Sequence, residues 1–289
     1  MGLRVDRRDA TRSATSSARP AIAGRPSTHS TERPRVAPWS WAAAGAVVGL
    51  VAALVVFAPA RWLAAGVESA SDGRVVLAEA RGTVWRGSAQ LVLTGGAGST
   101  DAAALPGRLT WNLQPRWDGV LARLRPECCA DRPIDVRAHL RVGGLRVAVG
   151  DSLSQWPAHV TAGLGTPWNT LQLDGDVQLR TQGLSVEWAA GRLAIAGRAE
   201  FMALRMASRL STLRPMGSYR ITLQGGTPAS LAVDTLEGSL QLSGAGQWVG
   251  SRLRFRGDAS AAPEREAALA NLLNIIGRRS GARSIISIG

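Results

Sequence analysis

Beyond residue 107 the chain repeats one pattern, in which apolar and polar residues alternate in short runs and glycines interrupt them. In Arg108–Gln114, Leu109, Trp111 and Leu113 take one side while Arg108, Thr110, Asn112 and Gln114 take the other. In Ile134–Val142, Ile134, Val136, Ala138, Leu140 and Val142 oppose Asp135, Arg137, His139 and Arg141. Leu171–Arg180, Tyr219–Gln224, Leu236–Ser243 and Leu253–Arg256 alternate likewise. A period of two marks strands with one apolar and one polar face. Such strands suit antiparallel pairing, not the doubly buried strands of an α/β fold. Breaks fall at Gly95-Gly96, Gly143-Gly144, Gly183, Gly225-Gly226 and Gly250, and the Gly143-Gly144 pair between two alternating runs predicts a hairpin.

Little helix is expected in this body. Asp118–Arg125 (DGVLARLR) is assigned to one short helix, followed by a loop to Arg132. Pro263–Arg279 is assigned to a longer one. Pro263 suits a first turn, Glu264 and Glu266 suit the positive end of the helix dipole, and Arg278 and Arg279 suit the other end. Leu269, Leu272, Leu273 and Ile276 form its apolar stripe, and a strand, Ser284–Ile288, is predicted to follow.

The body also repeats itself. Leu173–Leu179 is LDGDVQL and Leu236–Leu242 is LEGSLQL; Trp188–Ala199 is WAAGRLAIAGRA and Trp248–Ala259 is WVGSRLRFRGDA. Gly165-Thr166-Pro167 precedes the first copy as Gly226-Thr227-Pro228 precedes the second. Two ordered matches per copy predict a duplicated strand-hairpin unit, and stacked units build an elongated, curved sheet with an apolar inner face.

Ahead of this body lies Trp39–Ala60, in which Ser40 is the one polar residue and nothing is charged. About 20 apolar residues cross a bilayer as a helix. Trp39, Trp41 and Trp62 flank the run at the positions indole rings favour. The run is longer than a signal-peptide core, so an uncleaved anchor is favoured over cleavage after Ala58-Pro59-Ala60. Gly45 and Gly49 carry the GxxxG spacing of a helix-dimer face, which allows a homodimer.

Charge sets the expected orientation. The chain has no lysine, and residues 1–38 hold eight arginines against three acids. The positive-inside rule makes 1–38 a disordered, Arg-rich cytoplasmic leader, 39–63 the transmembrane anchor and 64–289 an extracytoplasmic β-rich domain. The net charge of +13 would otherwise suggest nucleic acid, but an exported body does not meet it, so no nucleic-acid partner is expected. Membrane lipid is.

No catalytic, cofactor or metal site is expected. His29 lies in the leader, His139 on a polar strand face and His159 in a loop after Trp156-Pro157. Asp174 and Asp176 share a strand face, where solvation is the commoner role than acid–base work. Two cysteines and three histidines offer no tight four-ligand zinc pattern. The cysteines are adjacent, Cys128-Cys129, which leaves three readings open: a vicinal disulfide, two intermolecular bridges or free thiols. Trp85, Trp111, Trp188 and Trp248 are expected to fill the core.

Three stretches resemble protein N of the bacterial type II secretion system. Gly82-Thr83-Val84-Trp85-Arg86-Gly87-Ser88 resembles its Gly-Thr-x-Trp-x-Gly segment. Leu109–Pro115, with Trp111, resembles the strand that follows. Leu213–Arg220 resembles its Pro-Leu-Gly-x-Tyr segment through Pro215, Gly217 and Tyr219, with Met216 in place of Leu. The long leader departs from the family's usual short cytoplasmic tail. The resemblance implies a non-enzymatic, single-pass inner-membrane component facing the periplasm. Its partners would be inner-membrane platform proteins and the secretin. It also implies kinship with AsmA-like envelope proteins, whose curved sheets are associated with lipid. The fold expected is therefore mainly β: one N-terminal transmembrane helix, an antiparallel half-pipe or sandwich built partly from a duplicated hairpin unit, and a C-terminal helix.

Overall fold

The computed structural model describes residues 39–289 apart from Val142 and Ala190. The leader, with His29, lies outside the described residues. The chain divides between Ala46 and Val47 into two compact units. Helix α1 (Trp39–Val56) is the one described helix long and apolar enough to cross a membrane, and none of its residues is buried.

The second unit is built on a single 16-stranded sheet in which every pairing is antiparallel. Its strands are β1 (Val75–Gly82), β2 (Arg86–Thr94), β3 (Ala102–Ala104), β4 (Leu109–Arg116), β5 (Gly119–Pro126), β6 (Ile134–Arg141), β7 (Gly144–Val149) and β8 (Ser152–Pro157). They continue as β9 (Asp174–Ala189), β10 (Arg192–Ala207), β11 (Gly217–Gly226), β12 (Ser230–Gly238), β13 (Leu240–Val249), β14 (Arg252–Ala261), β15 (Arg278–Ser280) and β16 (Arg283–Ile288). The order is β1-β2-β4-β5-β6-β7-β9-β10-β11-β12-β13-β14-β16-β15, an open meander and not a two-layer sandwich. β3 and β4 share the length of β2, and β7 and β8 share the length of β9. Because neighbours run antiparallel, the turns after β1, β4, β6, β9, β11 and β13 fall on one long edge. The intervening turns fall on the other.

Helical segments cover one face. Helix α2 (Ala60–Ala70) was not foreseen, although Leu63, Ala64 and Val67 have the spacing of an apolar helical stripe; they pack on Leu77, Ala89 and Trp111. A 3-10 turn (Ala158–Leu164) lays Val160 against Leu105 and Cys129. Helix α3 (Trp168–Leu171) and helix α4 (Glu266–Ile276) close the largest cluster, where Leu269, Leu272 and Leu273 meet Met206, Met216, Tyr219 and Leu240.

The hairpin at Gly143-Gly144 forms as expected, with Arg141 opposite Gly144. The duplication is visible in register: Trp188 faces Leu193 and Ala189 faces Arg192 in one hairpin, as Trp248 faces Leu253 and Val249 faces Arg252 in the other.

Several local expectations are corrected. Asp118–Arg125 is not a helix but the tip and body of β5. Leu121 is buried there, and strands on both sides bond to the segment, a ladder no isolated helical turn replaces. At Gly119, φ is 157° and a Cβ would lie 2.0 Å from the Ala138 oxygen. Helix α4 starts at Glu266, not Pro263, because Ala262 is still tied to Ser239 and Arg265 closes a turn on Ala262. Arg278 and Arg279 leave the helix and pair with Ile285 and Ser284. The Leu171–Arg180 run enters its strand only at Asp174, since Leu171 ends α3. Gly183 is no break; β9 runs through it with a register shift. The Leu236–Ser243 run spans the corner between β12 and β13, where Thr235 Oγ1 accepts the Leu242 N–H at 2.6 Å. Trp188 does not fill the core: it is 50% exposed.

Candidate functional site

The Gly-Thr-x-Trp-x-Gly segment makes the turn between β1 and β2. Gly82 takes φ 89°, a conformation glycine adopts without penalty. The Thr83 N–H donates to the Arg86 carbonyl at 2.8 Å, and the Arg86 N–H donates to Thr83 Oγ1 at 3.1 Å. A Cβ at Gly87 would lie 2.5 Å from Cζ2 of Trp111, so the missing side chain is what lets that indole lie down. Trp111 is 5% exposed, and its Nε1 donates to the Val84 carbonyl at 3.0 Å. The turn then grips the chain that leaves α1. Trp85 Nε1 donates to the Val55 carbonyl at 2.8 Å, and the Val84 N–H donates to Ala58 at 2.8 Å. Pro59 bridges Thr83. The structure thus brings Gly82, Thr83, Trp85, Gly87 and Trp111 into one junction. Sequence reasoning missed its other half, Val55, Ala58 and Pro59, because backbone acceptors carry no residue signature.

The second motif lies far along the sheet. Met216 is 2% exposed; its N–H donates to Met206 at 2.7 Å, and its carbonyl accepts from Ser239 at 2.7 Å and from Leu240 at 3.1 Å. Gly217 pairs with Gly238, and a Cβ on Gly238 would fall 2.2 Å from the Gly217 Cα. Pro215 immediately precedes this crossing. Tyr219 is 6% exposed, and among the described residues its Oη has no hydrogen-bond partner. Burial raises the phenol above its ordinary range, because the charged phenolate is disfavoured there. Tyr219 lines an apolar cavity of about 460 Å³, with Trp168, Leu171, Ile221, Leu272 and Ile276 among its other walls.

The Sγ atoms of Cys128 and Cys129 lie together, in the position of a vicinal pair. Cys128 is exposed and Cys129 buried. The Cys129 carbonyl accepts from the Gln155 N–H at 2.8 Å, which ties the segment to β8.

The titratable residues do not converge. His139 Nδ1 meets Asp118 Oδ2 at 2.9 Å at a hairpin tip. Asp176 pairs with Arg205, while Asp174 Oδ1 accepts the Gly175 N–H at 3.0 Å, so each carboxylate has its own partner. No group of three His, Cys, Asp or Glu able to hold a metal occurs among the described residues. The geometry offers packing, a backbone clamp and an apolar cavity.

Comparison with known proteins returns no match among curated proteins and none among solved structures. Residues 73–286 match one family, described as Type II secretion system, protein N. That match spans both motif regions and nearly the whole sheet. The chain belongs to the type II secretion system protein N family, a family of secretion components and not of enzymes.

Proposed function

We propose that this protein is a non-enzymatic inner-membrane component of the type II secretion system that assists passage of folded exoproteins from the periplasm across the outer membrane. In this reading residues 1–38 are cytoplasmic, 39–63 form the anchor, and 64–289 work in the periplasm by contact with inner-membrane platform proteins and the secretin. Gly45 and Gly49 offer a face for a homodimer. The observation that carries the reading is the family match over residues 73–286. The junction supports it, since the Trp85 turn holds the end of the one described helix long and apolar enough to cross a membrane. The test is deletion of the gene, restoration in trans, and assay of exoproteins in medium and periplasm separately. Periplasmic accumulation reversed by the restored gene is expected; normal secretion counts against the role.

A second reading, lipid binding by an AsmA-like envelope protein, is favoured by one observation, the apolar cavity beneath α4. Lipid extracted from purified full-length protein in proportion to chain supports it. Lipid no more abundant than detergent exchange leaves on any membrane protein removes it.

A further inference from the structure

We propose that the long edge of the sheet bearing the β1–β2, β4–β5, β6–β7, β9–β10 and β13–β14 turns rests on the surface of an anionic bilayer leaflet. This rests on the reading of α1 as a membrane anchor and says how the sheet meets that membrane.

Four observations lead to it. The chain leaves α1 at this edge, because Val55 and Ala58 are bonded to Trp85 and Val84 in the β1–β2 turn. The edge is apolar where water would be expected to select polar residues. Trp117, at the β4–β5 tip, is 97% exposed. Leu140, Leu145 and Trp188 stand directly opposite one another on β6, β7 and β9, and are 77%, 40% and 50% exposed. Residues opposite in register share a face, so these three form one contiguous exposed ladder. Val249, at the β13–β14 tip of the same edge, is 53% exposed. An exposed apolar row of this kind marks an interaction surface.

Charge identifies what covers it. An exposed arginine stands at four of the tips on this edge: Arg116 beside Trp117, Arg141 beside Leu140, Arg192 across from Ala189 and Arg252 across from Val249; the β11–β12 turn carries none. Two acids lie near these tips: Asp118, which meets His139 Nδ1 at 2.9 Å, and Glu187, which stands opposite Arg146 in register. Indole rings with flanking guanidinium groups suit the headgroup layer, where the ring meets acyl carbon and the cation meets phosphate. The opposite edge is built differently. Its turns include the 3-10 turn, α3, the segment holding buried Ser208 and Ser211, and α4, which bury Ala158, Leu171, Leu269, Leu272 and Leu273 in the core while Trp168 and Ile275 stay 40% and 44% exposed.

The test uses the full chain in vesicles of phosphatidylcholine and phosphatidylglycerol, with and without brominated acyl chains that quench nearby tryptophan. The emission lost in the double variant Trp117→Phe, Trp188→Phe is isolated by difference. The expected result is that brominated lipid removes most of this difference emission while aqueous iodide removes little. Trp156→Phe, on β8 away from this edge, serves as a reference whose difference emission brominated lipid leaves untouched. Quenching by iodide alone overturns the proposal, because the edge then faces water. Resistance to both quenchers also overturns it, because a protein surface or a second copy then covers the edge. The pair Trp39→Phe, Trp41→Phe separates the underlying reading: if its difference emission also escapes brominated lipid, the anchor itself is at fault.

Discussion

The indole of Trp85 donates its Nε1 proton to the backbone carbonyl of Val55, thirty residues earlier, at 2.8 Å. The acceptor lies in the last turn of α1, where carbonyls lose their intrahelical donors and this one otherwise receives only the Ala58 N–H, at 3.4 Å. The bond therefore satisfies a helix end and fixes where the helix meets the sheet. Trp85→Phe keeps the ring and removes the donor. The expected cost is about 0.5–1.5 kcal/mol, the net worth of one hydrogen bond, read as a lower urea midpoint for the full chain in detergent. An unchanged midpoint would show that the carbonyl finds an equivalent donor.

Trp111 and Gly87 form a lock whose two halves are unequal. Trp111→Ala empties a buried site and should cost about 3–5 kcal/mol. Gly87→Ala should cost about 1–3 kcal/mol by overpacking. In the Trp111→Ala background the Gly87→Ala penalty should shrink but persist, since the added Cβ would still lie 2.6 Å from the Arg81 oxygen and 2.9 Å from the Thr83 oxygen. A thermal or urea double-mutant cycle reads the coupling; full additivity would refute the contact.

Tyr219 is the chain's one tyrosine, so phenolate absorbance near 295 nm reports it alone. The phenol is raised by burial. Native protein should show phenolate absorbance only well above the pH at which unfolded protein does. The sign for stability follows: above about pH 10 the unfolded chain loses its proton first, so stability present at neutral pH declines as pH rises. Tyr219→Phe should abolish that decline. It should also stabilise the protein at pH 7 by about 1 kcal/mol, because it removes a buried unpartnered hydroxyl. Coincident native and unfolded titrations would contradict the burial.

Cys128 and Cys129 offer a direct chemical check. We propose that they are joined in the purified protein, since the fold holds the two side chains together at a segment tied to β8 through the Cys129 carbonyl. Protein prepared without reductant should then take up no iodoacetamide by intact mass, and reduced, unfolded protein should take up two equivalents, one for each cysteine of the chain. Two adducts without reduction would identify free thiols. A dimer that collapses on reduction would identify intermolecular bridges.

The junction and the Met216–Tyr219 crossing were legible as residues but not as places. Glycine and tryptophan at 82–87 and 111 announce a tight turn and a large ring; only the register of β2 against β4, with Gly87 opposite Trp111, brings one onto the other. Trp188 and Trp117 show the opposite failure. A tryptophan in an alternating strand is usually core, yet Trp188 sits two residues from a hairpin tip, where no layer covers it.

What the sequence determined by itself was everything with a short period. Alternation specified strands, the glycine pair specified a hairpin, and the uncharged run specified a helix able to cross a membrane, because these follow from side chains within a few positions of one another. The tertiary structure decided the rest. It made DGVLARLR a strand, since β4 and β6 each presented an edge of backbone donors and acceptors that only another strand satisfies. It divided one long alternating run at Gly238, where the chain crosses Gly217 too closely for any side chain. It also placed the turns holding Trp85, Trp117 and Trp188 on one edge, because antiparallel neighbours reverse direction at each strand and the sequence carries no record of which turns that brings together.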